Sequence, residues 1–122
     1  LWQRHMAVNL LAPVLLAEAF AAALPDGAGG LVVNLSDAKL SSPNPDFFSY
    51  TVSKMGLAGA SELMARALAP AVRVNAIAPA VTLVSGPQSR DNFEQAHVMN
   101  ALRRGVDVGD LVRALLYLVD TP

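Results

Sequence analysis

The sequence predicts an α/β fold with a parallel, doubly wound sheet, and three observations carry that expectation. Two short segments, "LVVNLS" (Leu31 to Ser36) and "AVRVNAIA" (Ala71 to Ala78), are rich in β-branched and apolar residues, as strands covered on both faces should be. Longer Ala- and Leu-rich segments alternate with them, so the order is helix, strand, helix, strand, helix. Apolar residues make up 53% of the chain and charged ones 16%, which is core-rich material and not a disordered tail.

Residues 1–24 read as one long helix, favoured by Ala and Leu. Its run "MAVNLLAPVLLAEAFAAAL" invites a membrane reading, because a spanning helix takes about 20 predominantly apolar residues. Asn9, Pro13 and Glu18 interrupt it, and only Arg4 and His5 stand where a signal peptide carries its basic segment. The expectation is a buried helix of a soluble, cytoplasmic protein with no membrane partner. "PDGAGG" is a turn, and the first strand follows. "DAKLSSPNPDFF" (Asp37 to Phe48) is a polar loop from which two prolines exclude regular structure. Ser49 is placed to cap a second helix that runs to about Ala69, where Pro70 stops it. After the second strand come the loop "PAVTLVSGPQS", a short helix within "RDNFEQAHVMNAL", and a last amphipathic helix from Val108 to Asp120.

Two apolar strands alone leave bare edges of the kind that soluble proteins avoid. The chain also opens on Leu1 without an initiator methionine and stops directly after an apolar helix. It is therefore expected to be part of a longer chain, with the missing strands outside it.

Several function classes drop out on composition. The formal net charge is −1 with a pI near 6.1, and no basic patch suggests a nucleic-acid partner. The absence of cysteine removes disulfides, thiolate zinc sites and cysteine nucleophiles. His5 and His97 share no ligand spacing, so no metal is expected.

Ligands of open parallel sheets bind outside the carboxyl ends of the strands. Asp37 follows the first strand, Pro79 to Thr82 follow the second, and the helix leading back from that edge begins with "SYTVSK". Tyr50 and Lys54 lie four apart, on one helix face with roughly 5–6 Å between Cβ atoms. Alone this is an ordinary surface pair. Convergence of the three elements on one rim sets a second reading beside it on equal terms, an acid and the cation that tunes it. "GAGG" (Gly27 to Gly30) precedes a strand instead of opening a helix, so it is a turn and not a phosphate loop.

Asn9 in "AVNLLAP", the strand "GGLVVNLSD", then "SYTVSK" and "RVNAIAPA" resemble, in order and spacing, the short-chain dehydrogenase/reductase family. The resemblance covers essentially all 122 residues and corresponds to the C-terminal half or so of a family member. It implies a Rossmann-type doubly wound sheet whose N-terminal strands are absent here, with residues 1–122 the C-terminal portion of a single reductase domain. It also implies hydride transfer with NADPH, NADH not being excluded. Of the family's Asn, Ser, Tyr and Lys, the chain matches Asn9, Tyr50 and Lys54, but the serine position, thirteen residues before the tyrosine, holds Asp37. That substitution is similar to the pteridine reductase and dihydromonapterin reductase branch. Sliding Ser36 into the serine role turns the side chain to the opposite face of the strand, and Ser41 and Ser42 are spaced worse still.

The chemistry agrees with a changed substrate. A serine hydroxyl donates to a carbonyl oxygen that gains charge, whereas an ionised aspartate only accepts and repels that oxyanion. Hydride addition to a C=N unit leaves a nitrogen that wants a proton, and a carboxyl group can help relay one. The resemblance makes Tyr50 the proton donor and Lys54 the cation that lowers its pKa and bonds the cofactor ribose. Asn9 holds a water relay behind Lys54, or merely bends its helix. The resemblance also implies that Pro79, Ala80 and Val81 line the nicotinamide and that Thr82 bonds its carboxamide, the alternative being a plain strand-to-loop turn. Ala80 stands where the family has glycine, which implies either an ordinary backbone or altered cofactor contact. Phe47, Phe48 and Leu83 are candidates to flank a flat substrate ring, although at least one phenylalanine better suits core packing. "VSGPQSRDNFEQAH", with Gly86 and Pro87 as punctuation, matches the family segment that closes over substrate, or is an ordinary surface loop. Trp2, His5 and His97 receive no function, and Arg103 and Arg104 are assigned to solvent. Small residues in "GLAGASELMARALA" suit packing within one subunit or, as in relatives, across a homodimer or homotetramer axis.

The leading expectation is an NADPH-dependent reductase of a dihydropterin or dihydrofolate C=N bond. The alternatives are a short-chain reductase of a ketone or alcohol, or a chain that lacks its cofactor-binding half, is inactive and poorly folded alone, and works only by assembling with partners.

Overall fold

A computed structural model describes residues 1–86 and 88–122. A continuous helical rod opens the chain: α1 (Trp2–Met6), a π-helical segment (Ala7–Leu11) and α2 (Ala12–Ala22). Strand β1 (Gly30–Leu35), helix α3 (Phe48–Leu68) and strand β2 (Val72–Ile77) form a β-α-β unit, and α4 (Arg90–His97) and α5 (Val108–Asp120) follow. β1 and β2 pair in parallel from Gly30↔Val72 to Leu35↔Ile77.

Helix α3 packs on this sheet through a stripe at i, i+4 spacing: Ser53, Leu57 and Ser61 are all buried. Val72 and Val74 of β2 complete a small core with Ala17 of α2. The two buried hydroxyls are satisfied, Ser53 donating to the Tyr50 carbonyl at 2.6 Å and Ser61 to the Leu57 carbonyl at 2.7 Å. Asn34 of β1 in turn donates to Ser61 at 2.8 Å, tying strand to helix. At the far end of β2, the Arg73 guanidinium donates to the Leu118 carbonyl of α5 at 3.0 Å. Asp107 and Asp110 form a capping box at the start of α5. The backbone N–H of Asp107 and then Arg113 hold the Asp110 carboxyl below its usual range.

Four expectations need correction. The first helix is not uniformly α: Pro13 has no N–H for the Asn9 carbonyl four residues back, and the ladder shifts to π spacing just ahead of it. Nor is that helix buried. Ala17 is its only buried residue, because among the described residues it packs mainly on α3 and β1, although Trp2–Ala22 is long and apolar enough to cross a membrane by length and composition. The loop after β1 contains a 3₁₀ turn, Ala38–Ser41, lying ahead of both prolines. Ser49 lies inside α3 and does not cap it; the cap position is Phe47, at φ 55°, ψ 44°, with no side-chain acceptor.

Gly30 is fixed by sterics. A Cβ there would meet the Phe20 ring at 2.7 and 2.9 Å and Leu24 Cδ1 at 3.1 Å. In the intact protein, Gly30→Ala should therefore lower stability by about 1–3 kcal/mol despite the better strand propensity of alanine. A denaturant midpoint unchanged from wild type would show that α2 moves freely away from β1.

Candidate active site

The site is assembled where both strands end. The ladder continues past β1 and β2: the Ser36 N–H donates to the Ile77 carbonyl at 2.8 Å and the Ala38 N–H to the Pro79 carbonyl at 3.0 Å. These two bonds lay the loop carrying Asp37 against the loop that starts at Pro79. Asp37 is extended, and its Oδ1 accepts the Lys39 N–H at 2.8 Å to start the 3₁₀ turn. Oδ2 remains for Tyr50, whose hydroxyl donates to it at 2.6 Å. Ser36, by contrast, meets this edge through its backbone N–H.

Tyr50 sits in the first turn of α3. The left-handed Phe47 makes the abrupt entry that starts the helix here, an uncommon conformation for a bulky residue. One turn on, the Lys54 Nζ donates to the Leu35 carbonyl at 2.7 Å and lies 5.9 Å from the centroid of the Tyr50 ring. The Asn9 amide donates to Ser53 Oγ at 3.0 Å, and Ser53 donates to the Tyr50 carbonyl. Asn9 thus reaches the tyrosine's backbone through Ser53, and not the Lys54 ammonium. Ser53 went unassigned in the sequence, although its place on the 53, 57, 61 stripe signals burial.

The electrostatics reverse one expectation. Burial, then the hydrogen bond to Asp37, then that carboxylate's charge raise the Tyr50 pKa well above the ordinary phenol value. Lys54 was expected to pull it down. The carboxylate touches the hydroxyl, however, while the ammonium is committed to a backbone carbonyl. Lys54 itself is lowered by burial, with the Asp37 charge opposing that shift.

The remaining candidates are placed less decisively. Ala80 has an ordinary backbone, since Phe47 and Arg103 are the non-glycine residues with positive φ among those described. Thr82 Oγ1 donates to the Ala80 carbonyl at 2.8 Å, turned back on its own loop. His97 Nδ1 shares a 2.7 Å hydrogen bond with the Val81 carbonyl, so α4 touches that loop. Phe47 and Leu83 are exposed, and the Lys39 ammonium lies 5.2 Å over the Phe47 ring. No hydrogen bond or ring contact of the Phe47 side chain or of residues 79–83 reaches Tyr50 or Lys54 among the described residues. Gly86 has φ 46°, and Pro87 lies outside the described residues.

Comparison with known proteins shows what the chain as a whole is similar to. A family profile described as enoyl-(acyl carrier protein) reductase matches residues 1–121. Dehydrogenase/reductase SDR family member 4 of Homo sapiens is 36% identical over 85 residues, 69% of this chain and 31% of that protein. A granaticin polyketide synthase putative ketoacyl reductase 2 of Streptomyces violaceoruber is 31% identical over 122 residues, 97% of this chain and 49% of the relative. Among solved structures, FolM alternative dihydrofolate reductase 1 from Brucella suis, in complex with NADP, superposes with a TM-score of 0.94 at 44% identity. That match covers 98% of this chain and 49% of the other. The Brucella canis protein of the same description, complexed with NADP, gives a TM-score of 0.91 at 46% identity, over 95% of this chain and 46% of that one. The chain spans about a third to a half of the length of these proteins.

Proposed function

The chain belongs to the short-chain dehydrogenase/reductase family and carries part of its Rossmann-type doubly wound sheet, and from that premise we propose that the protein containing it is an NADPH-dependent reductase of a dihydropterin or dihydrofolate C=N bond. One observation carries the substrate class: the Tyr50 hydroxyl donates to an aspartate at 2.6 Å. A carboxylate beside the acid disfavours a developing carbonyl oxyanion but suits delivery of a proton to nitrogen. The likeness to two FolM alternative dihydrofolate reductases supports the same reading.

The chain's own residues fit the nicotinamide-ribose end of such a cofactor. Lys54 spends one of its three N–H donors on the Leu35 carbonyl, leaving two for ribose hydroxyls. Pro79, Ala80, Val81 and Thr82 extend from the end of β2 beside Asp37, as a nicotinamide wall requires. Held there, such a cofactor would supply the hydride for the carbon of the C=N bond. Tyr50 gives its proton to the nitrogen, so that C=N becomes CH–NH. The phenolate left behind would face the Asp37 carboxylate, and the raised Tyr50 pKa records how unfavourable that is. Asp37 therefore works best as a relay, its carboxylate taking a proton from solvent and passing it to the tyrosine oxygen as the Tyr50 proton leaves. Asn9 and Ser53 hold the Tyr50 backbone while this happens. Cytoplasmic location and assembly as a homodimer or homotetramer belong to the same proposal.

The test is a substrate panel on the intact protein with NADPH. Dihydropterins or dihydrofolate should be reduced with kcat/KM at least about tenfold above any ketone, a margin of about 1.4 kcal/mol. The opposite ranking would favour the second reading, a ketone or alcohol reductase, for which the putative ketoacyl reductase relative speaks.

A further inference from the structure

The first turn of α3 carries Tyr50 and has no conventional cap. Phe47 occupies the cap position without a side-chain acceptor, which leaves the helix start to be held by tertiary contacts. Those contacts come from α1. Trp2 and His5 are three residues apart and share one helix face. The Trp2 ring stacks on Phe48 with centroids 6.1 Å apart and planes at 24°. His5 Nδ1 shares a 2.8 Å hydrogen bond with Ser49 Oγ, and the same imidazole meets the Tyr50 ring edge-on, centroids 6.0 Å apart at 77°.

Three consecutive residues, Phe48, Ser49 and Tyr50, are thus each touched by α1. Tyr50 has a hold on each of its parts: Asp37 on the hydroxyl, Ser53 on the carbonyl and His5 on the ring. The first two leave the ring free to swing about its attachment. The His5 ring, fixed in rotation by Ser49, removes that freedom in the edge-to-face geometry that aromatic pairs prefer. We propose that His5 is a positioning residue, which through its Ser49 hydrogen bond and its ring contact sets the angle at which Tyr50 offers its proton.

This rests on the reading of Tyr50 as proton donor, so the experiment has one readout that needs no substrate. The intact protein is labelled with fluorotyrosine, and the Tyr50 fluorine resonance is assigned by its loss in Tyr50→Phe. His5→Ala should shift or broaden that resonance and lower kcat about tenfold, with the KM for NADPH within about twofold of wild type. Ser49→Ala removes only the hydrogen bond, and serves if His5→Ala does not fold; it should give the same displacement with a loss of about threefold. His5→Phe, which keeps a ring edge, should restore most of the signal and rate. An unmoved Tyr50 resonance in the alanine variants, or kcat within about twofold of wild type, overturns the proposal, since a mere staple between helices would cost stability alone. If the wild-type protein reduces no dihydropterin, the substrate reading fails, and the resonance still decides the role of His5.

Discussion

Tyr50→Phe should abolish reduction, lowering kcat by about 10²–10⁴-fold, the range that a positioned general acid commands. The substitution removes one oxygen and leaves the ring, its packing against His5 and the Ser53 bond to the backbone. Cofactor affinity should therefore change far less than kcat, because Lys54 and the 79–82 loop are untouched. The raised pKa gives the wild-type phenol a second property: it stays protonated across about pH 6 to 9, where an ordinary phenol near 10 begins to ionise at the upper end. Loss of the Tyr50 proton should not limit the wild-type rate in that window. Steady-state oxidation of NADPH by the intact protein checks both points. If Tyr50→Phe keeps more than about a tenth of the wild-type rate, the proton reaches the substrate by another route, and Asp37 is the group next in line.

Much of this arrangement was legible in the sequence, and what was not legible depended on distances. β1, β2 and α3 followed from β-branched runs, an Ala-rich helix and the stop at Pro70, and all were placed within a residue or two. The Asp37–Tyr50 pair was legible as a separation of thirteen residues, which brings together the end of a strand and the start of the returning helix. The direction of the Tyr50 pKa shift was not, because it turns on whether the carboxylate or the ammonium lies nearer the hydroxyl. Pro13 was visible, but a proline can end a helix, kink it or shift its ladder, and nothing local to the sequence distinguishes the last, which the structure adopts. Phe47 as a left-handed cap ran against every local propensity, and the clamp by Trp2 and His5 joins positions more than 40 apart that no periodicity links. The exposed faces of the first helix mark the other limit: its composition is that of a core helix, yet most of its large apolar side chains are exposed among the described residues.

Asp37→Asn isolates the group on which the substrate class depends. The amide keeps the shape and can still accept the Tyr50 hydrogen bond, but it carries neither charge nor exchangeable acid proton. If Asp37 returns a proton to Tyr50, dihydropterin turnover should fall at least about tenfold, and more when the nitrogen is poorly basic. At the same time the Tyr50 pKa should fall towards the ordinary phenol value, since the amide removes the carboxylate's charge and leaves only a weaker, neutral hydrogen-bond acceptor. Burial, the largest, remains, so the return should be partial. The phenol of the variant then ionises at lower pH, and the alkaline decline of its residual rate should begin earlier than in wild type. A phenolate absorbance titration, with Tyr50→Phe as the blank, measures that pKa without any substrate. The two readouts separate the hypotheses. A lowered pKa with near-normal turnover would mean that Asp37 only positions the hydroxyl, and the argument for a C=N substrate would lose its chemical basis. A tenfold loss with a lowered pKa would tie substrate class to the carboxylate. Asp37→Ser then completes the logic: it restores a neutral donor beside the tyrosine, and should shift the kcat/KM ratio towards ketones and away from dihydropterins, because a hydroxyl can stabilise the oxyanion that a carboxylate repels.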